Sequence, residues 1–141
     1  MDSLRGFGHL SFGSRLKRLS DYMMRETQLV YDHYNVDFDP YLFPIFKTIR
    51  NKGQITNSEL VDLLKFSQPA ITQFINKLIG KGYVEQVAHA EDKRKKIIQL
   101  TSKGQELYTD IQPLWEGIQK TISEATQFET ASFLEHINHL E

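Results

Sequence analysis

The residues best suited to chemistry in this 141-residue sequence are amides and hydroxyls gathered in one segment, 67-SQPAITQFINKLIGKGYVE-85. Wound as a helix of 3.6 residues per turn, the segment places Ile71, Phe74, Ile75, Leu78 and Ile79 on one side. Pro69, Gln73, Asn76, Lys77 and Gly80 fall opposite, with Gln68 and Thr72 on the border near the N-terminus. A helix face turned only to water ordinarily carries Glu and Lys. This face carries uncharged donors and acceptors, which suit base edges: Gln and Asn pair bidentately with adenine, and a Thr methyl meets the thymine methyl. Lys77 would meet guanine or a phosphate. Ser67 and the free N–H groups of the first turn would hold a phosphate, aided by the helix dipole. The plain alternative is a surface helix of ordinary polarity.

A second cluster follows directly. Lys93, Arg94, Lys95 and Lys96 crowd a short charged stretch, with Asp92 beside them. Arginine entering a narrow minor groove gains from its enhanced negative potential, and Asp92 would orient Arg94. Read blandly, the same run is a lysine-rich edge that keeps a strand from pairing with other chains. Charge distribution by itself leaves both readings open. The formal net charge is −1, yet residues 65–104 hold eight Lys or Arg against three acids, and residues 105–141 one Lys against seven acids. Helix and basic hairpin at this spacing point to double-stranded DNA.

Other chemistry finds little support. The chain has no Cys, which excludes disulfides, thiolate zinc and thiol redox sensing. His136 and His139, with Glu135 adjacent, could share a metal with a second copy, but such histidines are more often solvated or interfacial. No metal and no cofactor are expected. No nucleophile–base pair, phosphate loop or carboxylate dyad is recognisable, so no catalysis is expected. No apolar run approaches the ~20 residues of a membrane span, and 1-MDSLRGFGHLSFGSR-15 lacks the apolar core of a signal peptide. A cytoplasmic protein with no membrane partner is expected.

The elements that must position these groups are legible from pattern. Phe12, Leu16, Leu19, Met23 and Val30 mark one face of a long helix over 10–34. The segment 35-NVDFDP-40 breaks it, and Asp39 and Pro40 open a second helix through Leu42, Phe43, Ile45, Phe46 and Ile49 to 51-NKG-53. Thr56 and Glu59 have capping-box spacing for a short third helix with Leu60, Leu63 and Leu64 as its apolar face. Lys65 and Phe66 form a turn, and Ser67 caps the fourth helix, which Gly82 ends. Strands follow at 83–88 and 96–101 around the tip 89-HAEDKRK-95. A long helix capped by Thr101 or Ser102 runs through Leu107, Ile111, Leu114, Ile118 and Ile122, and Pro113 should kink it. A last helix spans 128–140 with Phe128, Ala131, Leu134, Ile137 and Leu140. The expected fold is mainly α with a small β-hairpin wing. The outer helices carry apolar stripes that nothing in the same chain covers, and a symmetric dimer is the usual solution.

The run from Ser58-Glu59-Leu60 through 67–85 to 91-EDKRKKIIQLTSKGQEL-107 resembles the MarR family of winged helix-turn-helix transcription regulators. Asp92-Lys93-Arg94 followed by Leu100-Thr101 and Gly104 carries the likeness at the wing. Many members have Asp-Pro at the start of the wing, where this chain has His89-Ala90. The resemblance implies a single domain over 1–141, with dimerisation helices at 10–35 and 102–141 flanking a winged helix-turn-helix at 36–101. It implies a homodimeric repressor on a palindromic operator, with recognition helices about one helical turn apart, roughly 34–36 Å. Ser67, Gln68, Pro69, Thr72 and Gln73 map to the recognition helix and Arg94 to the wing tip; Asn76, Lys77, Lys93 and Lys95 complete the expected DNA contacts. The family often binds small aromatic or apolar effectors, for which Met23, Tyr41, Phe46 and Ile111 are the residues expected here. The stretch 12–46 is also similar to the MarR-like half of fusions with a GNAT-type acetyltransferase, whose second half is not among these residues. The alternative function is therefore a protein-interaction or regulatory module without catalysis.

Overall fold

Residues with strong local preferences stand at the element boundaries. Asp2 accepts from the Leu4 N–H and caps α1, Ser3–Gly6. Asp39 accepts from the Tyr41 N–H at 2.9 Å, with Pro40 opening a 3-10 turn, Pro40–Leu42, that leads into α3, Phe43–Lys52. Thr56 and Glu59 form a complete capping box on α4, Asn57–Leu64, and the bonds from Thr56 hold the Glu59 carboxyl below its ordinary range. Lys65 adopts a left-handed conformation, φ 56°, and turns the chain into α5, Gln68–Gly80. Gly82, φ 75°, closes α5 as a left-handed C-terminal glycine does.

The computed structural model describes residues 2–127 and 129–141. Between α1 and α3 runs the long helix α2, Phe12–His33, entered by a 3-10 turn at Gly8–Ser11. After α5 come β1, Val84–Ala88, and β2, Lys96–Leu100, paired antiparallel with Val84 opposite Leu100 and Ala88 opposite Lys96. Ile55 adds a short antiparallel bridge to Ile98, so the base of the hairpin is tied to the turn before α4. Thr101 caps α6, Ser102–Ala125, and α7 covers Thr130–Asn138.

One core joins these elements. Leu42, Ile45, Phe46 and Ile49 of α3 meet Leu60 of α4, Ile71, Ile75 and Leu78 of α5, Ile98 of β2, and Leu107 and Ile111 of α6. From α2 only Tyr31 is fully buried in that helix, at its C-terminal end. The packing face of α5 centres on Ile71, Ile75 and Leu78, all at most 1 % exposed, which fixes the rotation of the helix and turns the opposite side outward.

Several expectations are corrected. The first helix is preceded by α1 and a 3-10 turn, because Asp2 and the glycines at 6 and 8 break the helical run. Ile79 lies on the margin of the α5 packing face and is exposed, as is Leu63, since Leu60 and Leu64 occupy the inward side of the short α4. The second helix begins as a 3-10 turn rather than directly at Pro40. α6 is one long helix with Pro113 inside it, as expected, while α7 covers Thr130–Asn138 and ends short of Leu140. Phe128 lies outside the described residues.

Away from the core, apolar side chains face outward in a band. Phe12, Leu19 and Tyr22 of α2 are about half exposed, as are Phe133 and Leu134 of α7. Phe12, Arg15, Leu16, Arg18, Leu19 and Tyr22 frame a surface concavity along α2. No helix among the described residues is long and apolar enough to cross a membrane.

Candidate nucleic-acid interface

Ser67, Gln68, Pro69, Thr72, Gln73, Asn76 and Lys77 are all exposed. Six of them, Gln68 to Lys77, line one open depression on the surface of α5. Their common orientation follows from the anchor on the other side: burying Ile71, Ile75 and Leu78 leaves no freedom to rotate the helix about its axis. The N-terminus is more fully committed than its sequence suggests. Ser67 Oγ accepts from the Ala70 N–H at 3.3 Å, its carbonyl accepts from Ile71, and Pro69 has no N–H. The Gln68 N–H and the Ser67 hydroxyl hydrogen are therefore what this end can offer a phosphate, fewer donors than a full first turn.

The wing tip is built by its own backbone. His89 Nδ1 accepts from the N–H groups of Glu91 and Asp92 at 3.1 and 3.2 Å. The His89 N–H donates to the Lys95 carbonyl at 3.0 Å, and the Lys95 N–H to the Asp92 carbonyl at 3.0 Å. Asp92 Oδ1 accepts from the Arg94 N–H at 3.1 Å and lies 4.0 Å from Arg94 Nε. The Arg94 side chain is 97 % exposed, and Lys93, Lys95 and Lys96 are exposed around it. With so much of Arg94 in water, its pairing with Asp92 contributes little to stability and leaves the guanidinium available.

Two carboxylates temper the cationic face of α5. Asp39 lies 4.0 Å from Lys77 Nζ, and Asp37 pairs directly with Lys81. Tyr83 donates its hydroxyl to the Asp37 carbonyl at 2.8 Å, and burial pushes the Tyr83 phenol up, with the Asp37 charge adding to the effect. Lys103 closes the group by donating to the Lys81 carbonyl at 2.8 Å. These contacts join residues up to 46 positions apart, and no local pattern in the sequence announces them.

Phe46 and Ile111 are wholly buried core, Tyr41 is half exposed and Met23 half-buried, and neither the α5 depression nor the α2 concavity includes any of them. Nearby, pattern reading missed an aromatic and cationic cluster. Lys47 Nζ donates to the Tyr108 hydroxyl at 2.7 Å and lies 5.5 Å from the centre of the Trp115 ring. Trp115 Nε1 donates to the Tyr31 hydroxyl at 2.7 Å; burial raises the Tyr31 pKa and this hydrogen bond pulls it partly back. The i, i+7 spacing of Tyr108 and Trp115 on one face of α6 was the available signal. His136 and His139 each turn Nδ1 toward a carbonyl four residues back, Ser132 and Glu135, at 2.7 Å.

Comparison with known proteins places this geometry. Residues 42–96, from the end of the 3-10 turn to the start of β2, match the MarR family. The multiple antibiotic resistance protein MarR of Salmonella typhimurium is 32 % identical over 69 residues, 49 % of this chain and 48 % of that protein, so the match spans about half the length of that relative. The HTH-type transcriptional regulator PapX of Escherichia coli is 26 % identical over 123 residues, 82 % of this chain and 74 % of PapX. Among solved structures, a mutant MarR from E. coli complexed with operator DNA superposes with a TM-score of 0.69 at 23 % identity, covering 89 % of this chain and 91 % of that one. The S. aureus MepR–DNA complex superposes with a TM-score of 0.74 at 15 % identity, covering 91 % and 97 %. Both share the fold, a winged helix-turn-helix between long helices. In its matched segment and in its architecture, this chain is similar to members of the MarR family.

Proposed function

We propose that this chain is a sequence-specific double-stranded DNA-binding transcription regulator, acting in the cytoplasm as a homodimeric repressor that a small effector relieves. One observation carries the reading: Gln68, Thr72, Gln73 and Asn76 are held outward by a rotationally fixed helix, in the same chain as a freely exposed Arg94. Uncharged side chains at that place suit base edges in a major groove, and the basic wing suits the neighbouring backbone or minor groove. Relatives of the same fold solved with DNA add support.

The exposed apolar residues of α2 and α7 support a second copy as partner, and a two-fold dimer would read a palindromic operator with half-sites about one helical turn apart. An aromatic or apolar effector reaching Phe46 and Ile111 must separate α3 from α6, because both side chains are sealed from solvent. Binding that requires an opened core favours the opened geometry, and a coupling of 1–3 kcal/mol, about five- to 150-fold in operator affinity, is the usual scale.

A salt titration tests the proposal. Binding through several phosphates falls steeply, with a log–log slope of about −0.9 per neutralised phosphate. A shallow dependence would favour the protein-interaction module instead. Gln73→Ala is expected to relax base preference by about 1–3 kcal/mol at one position, whereas Arg94→Ala weakens binding across many sequences. Mobility shifts on variant sites in which the two substitutions behave alike would refute the assignment of roles.

A further inference from the structure

We propose that His89 is a positioning residue of the wing: its unprotonated Nδ1 takes the place of a turn-forming carboxylate and holds the loop that presents Arg94. The inference rests on the DNA-binding reading and goes beyond it by giving a role to a residue outside the expected DNA contacts. Its basis is geometric. The tip between β1 and β2 spans 89–95, and its chain reversal is fastened by backbone and side-chain hydrogen bonds, one of them from the Lys95 N–H to the Asp92 carbonyl. His89 Nδ1 accepts from two successive backbone N–H groups, those of Glu91 and Asp92. The His89 N–H and the Lys95 carbonyl close the loop from its two ends. Asp92, whose own N–H is held by the imidazole, then accepts from the Arg94 N–H.

The order of these bonds matters. Asp92 can steer Arg94 only if its own backbone is fixed, and the imidazole is the side chain fixing it. A side-chain acceptor that binds N–H groups two and three residues onward is the work Asp and Asn ordinarily do at such turns. Histidine can do it in one form alone, with the proton on Nε2 and the lone pair of Nδ1 turned to the backbone. Pro is absent at the next position, where Ala90 stands, so rigidity from a fixed φ is not available. The imidazole bonds are what restrains the first half of the tip. His89 and Asp92 are half-buried, whereas Glu91 and Arg94 are exposed, so the contribution of His89 concerns the shape of the tip rather than the core.

Three measurements on the full chain test this. The first is the nitrogen chemical shift of the His89 ring, which reports an unprotonated Nδ1 beside a protonated Nε2 if the loop is held as described. A ring protonated on Nδ1 at neutral pH overturns the proposal whether or not the chain binds DNA. The second is the affinity for a duplex selected from a random pool by the unsubstituted chain. Arg94→Ala is expected to weaken it roughly tenfold, within the range of a specific contact. His89→Ala should weaken it by no more than that, and His89→Asn, which restores a short acceptor, should recover most of the loss. The third is the double variant: in the Arg94→Ala background His89→Ala should cost nothing further, because it acts only through Arg94. Independent, additive losses, or an asparagine that fails to rescue, overturn the proposal. An unchanged affinity in Arg94→Ala instead sinks the role given to the wing in the DNA-binding reading, and the ring tautomer still decides whether His89 holds the tip. Melting temperatures should be equal across the set, which separates a local effect from loss of fold.

Discussion

Replacing Gly104 with alanine should destabilise the protein although alanine is the better helix former. Gly104 is buried in the first turn of α6, two residues beyond the N-terminal residue Ser102. A Cβ built there would stand 2.0 Å from the Tyr83 carbonyl oxygen and 3.0 Å from its carbon. Carbon and carbonyl oxygen are not normally closer than about 3.3 Å, so the elements must part by roughly 1 Å. The obstacle is backbone and cannot rotate aside. The Thr101 N–H donates to that same Tyr83 oxygen at 3.1 Å, and the Thr101 hydroxyl donates to the Gly82 carbonyl at 2.5 Å, so the shift strains two anchors. Alanine gains about 1 kcal/mol in helix propensity. Against it stand overpacking, typically about 1–3 kcal/mol, and weakened hydrogen bonds of about 1 kcal/mol each. The balance is a loss of about 1–3 kcal/mol, or a fall in Tm of roughly 4–10 °C for a chain of this size. Thermal unfolding followed by far-UV circular dichroism measures it. An alanine variant as stable as the parent would show that the close approach of α6 to the start of β1 does not constrain the fold.

Three further outcomes are expected. The Glu59 carboxyl is held below its ordinary value of 4.5 by the Thr56 N–H and hydroxyl, so its contribution is present above that pH and is lost as the pH falls through the depressed value; in urea unfolding, Glu59→Ala should be less stable than the parent by up to about 1 kcal/mol at neutral pH, with the gap narrowing progressively as the solution is made more acidic. Trp115→Phe removes the donor to the buried Tyr31 hydroxyl and should lower stability by about 1–3 kcal/mol, and an ultraviolet pH titration should find Tyr31 ionising at still higher pH, since the lost bond is the influence that lowers its pKa. Leu19→Arg combined with Phe133→Glu places charge on two half-exposed apolar sites and should shift sedimentation from dimer toward monomer; a parent chain that sediments as a monomer at micromolar concentration would remove the homodimer from the proposed function.

Much of the architecture was written in short-range chemistry. Asp39-Pro40, Thr56 with Glu59, Ser67 before Pro69, and Thr101 each mark a helix start because a side-chain oxygen satisfies a free amide within three residues. The outward face of α5 was legible for a similar reason: a few large aliphatic residues at helical spacing decide which side is buried. Ile79 and Leu63 escaped because a periodicity identifies a face but not its edges. The remaining gaps are all long-range or geometric. Asp37 with Lys81, Lys47 with Tyr108, and Trp115 with Tyr31 depend on how helices cross, which no local pattern encodes. His89 differs again: its departure from the usual Asp-Pro was visible, but which ring nitrogen faces which amide is set by the folded path of the tip.

The segment between α2 and α3 has a mechanical consequence. Asp37 grips Lys81 through its carboxylate and Tyr83 through its carbonyl, so the stalk formed by α2 is pinned to the rear of α5 and not to the end that carries Ser67 and Gln68. The segment after α2 therefore meets α5 at the end where Lys81 closes the helix, while Ile71 anchors the opposite end in the core.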